Sequence, residues 1–287
     1  MISHHAVPAA AEHGIFETWT WDPWVILPLT LIGVLYGIGL KRSAERSMRL
    51  FPWWRILSFY VGLGLALFAL VSPIDHLSEH LFFVHMIQHM LLIMWSVPLM
   101  LLGAPIIPIL RGMPRIARRR IVGPVARIAT LRKALNVFRR GRVAFSIFFG
   151  GIWFWHMPIM YDLALISTFV HYVEHIFFMS TAFIFWTFVI APIPFPSRKG
   201  YVSRILYLFA GATPNAVLGA YLTYSPQPWY TFYQKQPQLW FITVMEDQTI
   251  GGLVMWLPSW MMLLFSMGVM FFLMMREEDQ KQMDGYQ

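Results

Sequence analysis

Two histidine pairs share one spacing: "HMIQH" sets His85 and His89 four residues apart, and "HYVEH" repeats it with His171 and His175. A step of four brings both imidazoles of a pair onto one face of a helix. Each pair opens an apolar run, "HMIQHMLLIMWSVP" in one case and "HYVEHIFFMSTAFIFWTFVI" in the other. Ionisable groups in such surroundings are costly and usually functional. Two facing helices, each presenting two imidazoles, form the kind of site with which bundles hold a metal or cofactor in their core. Cysteine is absent, which excludes thiolate ligands, thiolate nucleophiles and disulfides. A metal must therefore be held by His, Met or carboxylate.

Other candidates gather around these pairs. His156 stands in "WHMPIMYDLAL", and His76 and His80 stand in "SPIDHLSEH". Met86, Met90 and Met94 follow the same four-residue step. Most of the 19 methionines are packing filler, but thioether and imidazole without thiolate suit copper, since softness selects Cu(I) and the affinity series favours Cu(II). Gln88 and Glu174 each precede a histidine and are candidates to fix imidazole tautomers from behind the ligands. Asp162 and Asp247 lie in the same neighbourhood as Asp75, Glu79 and Glu246. The competing reading of every one of these residues is helix-to-helix packing, and for His4, His5 and His13 in the N-terminal segment no ordered role is expected. Haem with two axial histidines is a second use for facing pairs.

Helices must position these groups, and the composition says which kind. The chain of 287 residues is 57% hydrophobic, 17% aromatic and 13% charged, against about 25% charged in soluble domains. Seven apolar runs, about 24–40, 53–72, 81–103, 143–160, 170–190, 203–223 and 249–275, each approach the roughly 20 residues a spanning helix needs. In lipid an open chain satisfies its backbone only as helix. The expected fold is all-α: a single seven-helix membrane domain over 24–275, preceded by an exposed tail at 1–23 and followed by a tail at 276–287. Pro98, Pro105 and Pro108 are expected to kink or end the third helix.

Charge orients this bundle. With seven spans, 21 of the 22 Lys and Arg residues fall on one side, and only Lys235 on the other. Positive loops stay cytoplasmic, so the N-terminus is expected outside and the C-terminus inside. The net charge of +8 is then a topology signal and not a nucleic-acid footprint. The linker 111–142, with eleven of the cations, reads as a basic amphipathic segment lying on anionic headgroups. All ten histidines fall on the outer side. At 1.5 Å per residue, His85 lies about 6 Å and His89 about 12 Å below the start of the third helix. The inner halves of helices 3, 5 and 7 carry no ionisable residue, which argues for a one-sided site and against a transport path. The outer side also lacks Arg, which weighs against the haem alternative because little is left to neutralise propionates.

In order along the chain, "HMIQHMLLIMWSVPLMLLGAP", "WHMPIMYDLAL", "HYVEHIFFMSTAFIFW" and "DQTIGGLVMWLP" resemble the CtaG family of cytochrome c oxidase assembly factors, the seven-helix proteins tied to caa3-type oxidases. The resemblance runs from about Ser72 to Pro258. It implies a binding protein and not an enzyme, acting in the maturation of an oxidase copper centre from the outer face of a bacterial plasma membrane. Its implied partners are oxidase subunits or other assembly factors within the lipid bilayer. The matching positions here are His85, His89, His156, His171, His175, Asp162 and Asp247. Ser259 departs from the family, where glycine is frequent. A metal-free assembly scaffold, with the histidines serving packing, is the remaining alternative.

Overall fold

A computed structural model describes residues 19–42, 51–195, 199–236 and 239–285, and among these every regular element is helical. His4, His5 and His13 lie outside the described residues. Six helices are long and apolar enough to cross a membrane, and a bent pair makes a seventh when counted as one span.

Helix α1, Pro23–Lys41, starts where Asp22 accepts from the Trp24 amide and Pro23 supplies a preset φ. Helix α2, Trp53–Val71, leads into the short α3, Pro73–Ser78, whose N-cap is Ser72. The third crossing is compound. Helix α4, Phe82–Met90, passes into a π-helical turn over Leu91–Ser96 and resumes as α5, Val97–Leu102. Trp186 satisfies the turn by donating from Nε1 to the Ile93 carbonyl at 2.9 Å. The helix ends at Gly103, before Pro105, so Pro98 is accommodated and only the later proline coincides with a stop.

Helix α6, Ile106–Gly112, then turns back against α1. The approach is so close that a Cβ on Gly39 would lie 1.8 Å from the Pro108 carbonyl oxygen, and one on Gly112 would lie 1.9 Å from that of Leu35. Arg42 donates to the carbonyls of Arg111, Gly112 and Met113, which α6 leaves unpaired at its end. The basic linker is helical only in pieces, because Pro114 and the extended Ile128 interrupt it. Its last piece is α7, Ala129–Phe138.

The fourth crossing differs from the continuous helix expected over 143–160. Helix α8, Gly141–Trp155, and helix α9, Pro158–Ile166, meet at 74°. Proline disfavours helical backbone in the residue before it, and Met157 is accordingly extended, with ψ of 131°. The polypeptide turns at His156. Helix α10, Thr168–Ile190, and helix α11, Tyr201–Thr223, follow, and the short α12, Thr231–Gln234, lies in the connection after them.

Helix α13, Val244–Gly285, is the longest, with 42 residues. At 1.5 Å per residue it measures about 63 Å, roughly twice the hydrocarbon thickness. It therefore runs beyond the expected span at both ends. Polar sequence does not end it: Lys281 and Glu277 pair at 2.8 Å on one exposed face.

The core mixes aliphatic and aromatic side chains, with Phe148, Phe178, Phe185 and Trp186 fully buried. Two ties fix the end of the bundle where the histidines lie. The Thr20 amide donates to the Val71 carbonyl, and the Tyr172 hydroxyl donates to Asp22.

Candidate metal centre

Helices α4 and α10 start at the same end of the bundle and run side by side, and this sets the register of the four imidazoles. His85 faces His171 and His89 faces His175, each at a ring-centroid distance of 5.3 Å. Within each helix the two rings are 4.3 Å apart. The His85 and His89 Nε2 atoms approach to 2.9 Å. His85, His89 and His175 are buried, while His171 is partly exposed and forms the mouth of the cluster.

Glu174 completes the group. It is 0% exposed, and its Oε1 lies 4.0 Å from His89 Nε2. It thus faces the histidine across the helix pair and not its own chain neighbour His175.

Tautomers follow from the surrounding donors. The Tyr233 hydroxyl donates to the Ser78 carbonyl at 2.9 Å, which leaves its oxygen facing His85 Nδ1 at 3.4 Å. His85 then carries its proton on Nδ1 and turns the Nε2 lone pair into the cluster. Burial raises the Tyr233 phenol, and that of Tyr230, well above the ordinary value, so both remain hydroxyls.

The cluster is short of hydrogen-bond partners. His89 Nδ1, His171 Nε2, His175 Nε2 and both Glu174 carboxylate oxygens are buried without a partner. Buried polar groups are nearly always paired, so such a concentration of lone pairs fits a bound cation. The spacing fits too. The ligand atoms of His85, His171 and His175 lie within 4.8 Å of one another, as do those of His85, His89 and Glu174. Tetrahedral ligation at metal–nitrogen distances near 2.0–2.1 Å calls for nitrogens roughly 3.3 Å apart. Small side-chain adjustments would close either set.

A model of the cytochrome c oxidase caa3 assembly factor family matches residues 34–277. The chain belongs to this family, CtaG. Three mycobacterial proteins are similar, each 26% identical and each uncharacterized: one of Mycobacterium leprae over 244 residues, and one each of Mycobacterium bovis and Mycobacterium tuberculosis over 250. The alignments cover 84% of this chain but 37% of each relative, so the chain spans little more than a third of their length. No solved structure matches.

The remaining candidate residues of this CtaG-family chain take other positions. His156 donates from Nδ1 to the Ile152 carbonyl at 2.7 Å, and its Nε2 is buried without a partner. The Tyr161 ring packs against both His156 and His85, and His156 joins neither ligand group. His76 and His80 pack edge to face with each other, outside both groups. Met86 is buried in the core. Gln88 points away from the imidazoles, donating to the Ala69 carbonyl and to Asp75.

Two carboxylates turn out to organise helix starts. Both oxygens of Asp247 accept at 2.8 Å, from the Phe82 and Phe83 amides. Leu81 has no acceptor of its own, so α13 caps the helix that carries His85 and His89. Asp162 accepts from the Thr231 hydroxyl and the Phe232 amide, holding the short helix that carries Tyr233. The tyrosines themselves were not anticipated. Tyr161 and Tyr230 stack at 4.0 Å beside Phe82, and Tyr230 donates to the His156 carbonyl. The available signal was "PWYTFY", an aromatic cluster in a connection between spans.

Proposed function

We propose that this CtaG-family chain binds copper through His85, His89, His171 and His175, with Glu174, and aids maturation of a copper centre in cytochrome c oxidase. The observation that carries the reading is the convergence of four imidazoles and one carboxylate on a buried spot, with five of their polar atoms unpaired. An all-nitrogen and oxygen donor set without thiolate suits copper in its divalent form. The role is binding and delivery without catalysis. The charge distribution supports a plasma-membrane orientation with the N-terminus and the histidine end outside, where oxidase subunits or other assembly factors would meet it.

Haem is disfavoured by packing. The four rings already touch, with His85 and His89 edge to face, and a porphyrin would have to force α4 and α10 apart. The deciding experiment is elemental analysis and an optical spectrum of detergent-purified protein, wild type against His85→Ala/His89→Ala. Copper near one per chain that disappears in the variant is expected. A Soret band that shifts on reduction would replace copper by haem. Metal-free protein that does not take up added copper would leave the scaffold reading.

A further inference from the structure

We infer that the cluster holds one copper ion in two alternating positions that share His85, an outer one completed by His171 and His175 and an inner one completed by His89 and Glu174. The inference rests on the copper reading above and deepens it. Its starting point is that the four imidazoles and the carboxylate do not form one shell. They resolve into two triads with His85 in common.

Exposure separates the triads. The inner triad is buried throughout, whereas the outer one includes the partly exposed His171. An ion arriving from the histidine end therefore meets the partly exposed His171, and with it the outer triad, first.

Charge separates them as well. The outer triad is three neutral imidazoles, which leave an ion's full charge uncompensated. The inner triad contributes a carboxylate with both oxygens unpaired. A divalent ion in apolar surroundings favours the position with an anion, and a monovalent ion gains less from it. Occupancy of the inner position thus follows the ion's charge.

The two positions exclude each other. His85 turns only Nε2 into the cluster, since Tyr233 engages Nδ1. That lone pair serves one ion at a time, and two divalent ions so close would repel strongly in a low-dielectric interior. His85 is the pivot, and release outward requires only the exchange of His89 and Glu174 for His171 and His175.

The test is equilibrium dialysis of Cu(II) into the full-length chain in detergent, with electron paramagnetic resonance to count coupled nitrogens. Wild type should bind one ion coupled to two nitrogens. Glu174→Gln should still bind one ion, now coupled to three nitrogens. Its affinity should fall by about 10–100-fold or more, since loss of even an outer-sphere partner has that effect. His89→Gln should behave in the same way. His171→Ala should keep one ion with the wild-type spectrum and take it up more slowly, and His85→Gln should lose binding altogether. If His85→Gln fails to fold, the Glu174→Gln and His89→Gln spectra carry the test. Two ions per wild-type chain would overturn the proposal. So would complete loss of binding in Glu174→Gln or His171→Ala, or an unchanged spectrum in Glu174→Gln. Wild-type protein that binds no Cu(II) would instead remove the copper reading itself.

Discussion

Two carboxylates are buried against helix α4, Asp247 at 4% exposure and Glu174 at 0%, and the bundle treats them in opposite ways. Asp247 has both oxygens bonded to the free amides of Phe82 and Phe83. Glu174 has neither oxygen bonded. The first is a structural part whose contacts are complete. The second has a cost that no protein group offsets, beside imidazoles that are also short of partners. Elsewhere some buried polar groups are paired, as where Asn215 donates to the Met255 carbonyl and to Ser259 and Gln248 accepts from the Trp229 amide, while others, such as Ser96 Oγ and the Tyr207 hydroxyl, have no partner. What sets Glu174 apart is a carboxylate with both oxygens unpaired beside three imidazole nitrogens that are also unpaired.

The comparison breaks first at Asp247. Asp247→Ala strands two buried amides, each costing about 1–3 kcal/mol when unpaired, so a loss of about 2–4 kcal/mol is expected. It should appear as a lowered thermal midpoint in detergent with or without copper. Asp247→Asn keeps one acceptor and should lose about half as much. An unchanged midpoint in Asp247→Ala would mean that α4 finds another cap.

Glu174→Leu should have the opposite sign. Replacing buried charged groups by apolar ones of similar volume often stabilises by about 1–4 kcal/mol, and the metal-free variant should unfold at higher temperature than wild type. Added copper should narrow or reverse the gap, since at 100 times its dissociation constant it stabilises the wild type by about 2.7 kcal/mol and a weaker-binding variant by less. A variant less stable than wild type without metal would show that Glu174 is paired after all.

How much of this was visible in the sequence depends on distance along the chain. The helix period alone placed His85 with His89 and His171 with His175. It also warned against reading neighbours as partners, because adjacent residues do not share a helix face. Gln88 follows that rule, turning to Asp75 while His89 turns to the cluster. Glu174 belongs to the site because it reaches His89 on another helix, not because it precedes His175. The break at Met157 was legible from Pro158. The capping of Phe82 by Asp247 spans 165 positions, and no local pattern announces it. The resemblance singled out Asp247 and the place before His175 singled out Glu174, and only their hydrogen bonds tell the cap from the candidate ligand.

A third carboxylate tests the middle ground by pH. Asp75 lies outside the spanning helices, partly buried, with one oxygen accepting from Gln88. Burial raises its pKa to about 6 from 3.8, and the Gln88 bond offsets only part of that. The folded chain then binds more protons than the unfolded chain between those values. Stability from this group should fall as pH rises from about 4 to about 6 and level off above. Thermal midpoints of wild type minus Asp75→Asn across this range should trace that fall. A flat difference would mean that the hydrogen bonds to Asp75 offset its burial in full.

The smallest effect is expected where compensation is redundant. Ser259 accepts from Asn215, donates to the Met255 carbonyl and lies 3.3 Å from the sulfur of Met90, one residue beyond His89. In Ser259→Ala, Asn215 keeps the bond from one N–H to the Met255 carbonyl at 2.7 Å, and only its second N–H loses an acceptor. Interhelical polar contacts in membranes average about 0.6 kcal/mol, and a loss of that order is expected, with copper affinity unchanged. Glycine, frequent at this position in the family, should cost about 0.8–1.0 kcal/mol more than alanine through helix propensity. A shift in copper affinity instead would mean that the paired network and the unpaired cluster are coupled through Met90, and that the contrast between them is one of degree.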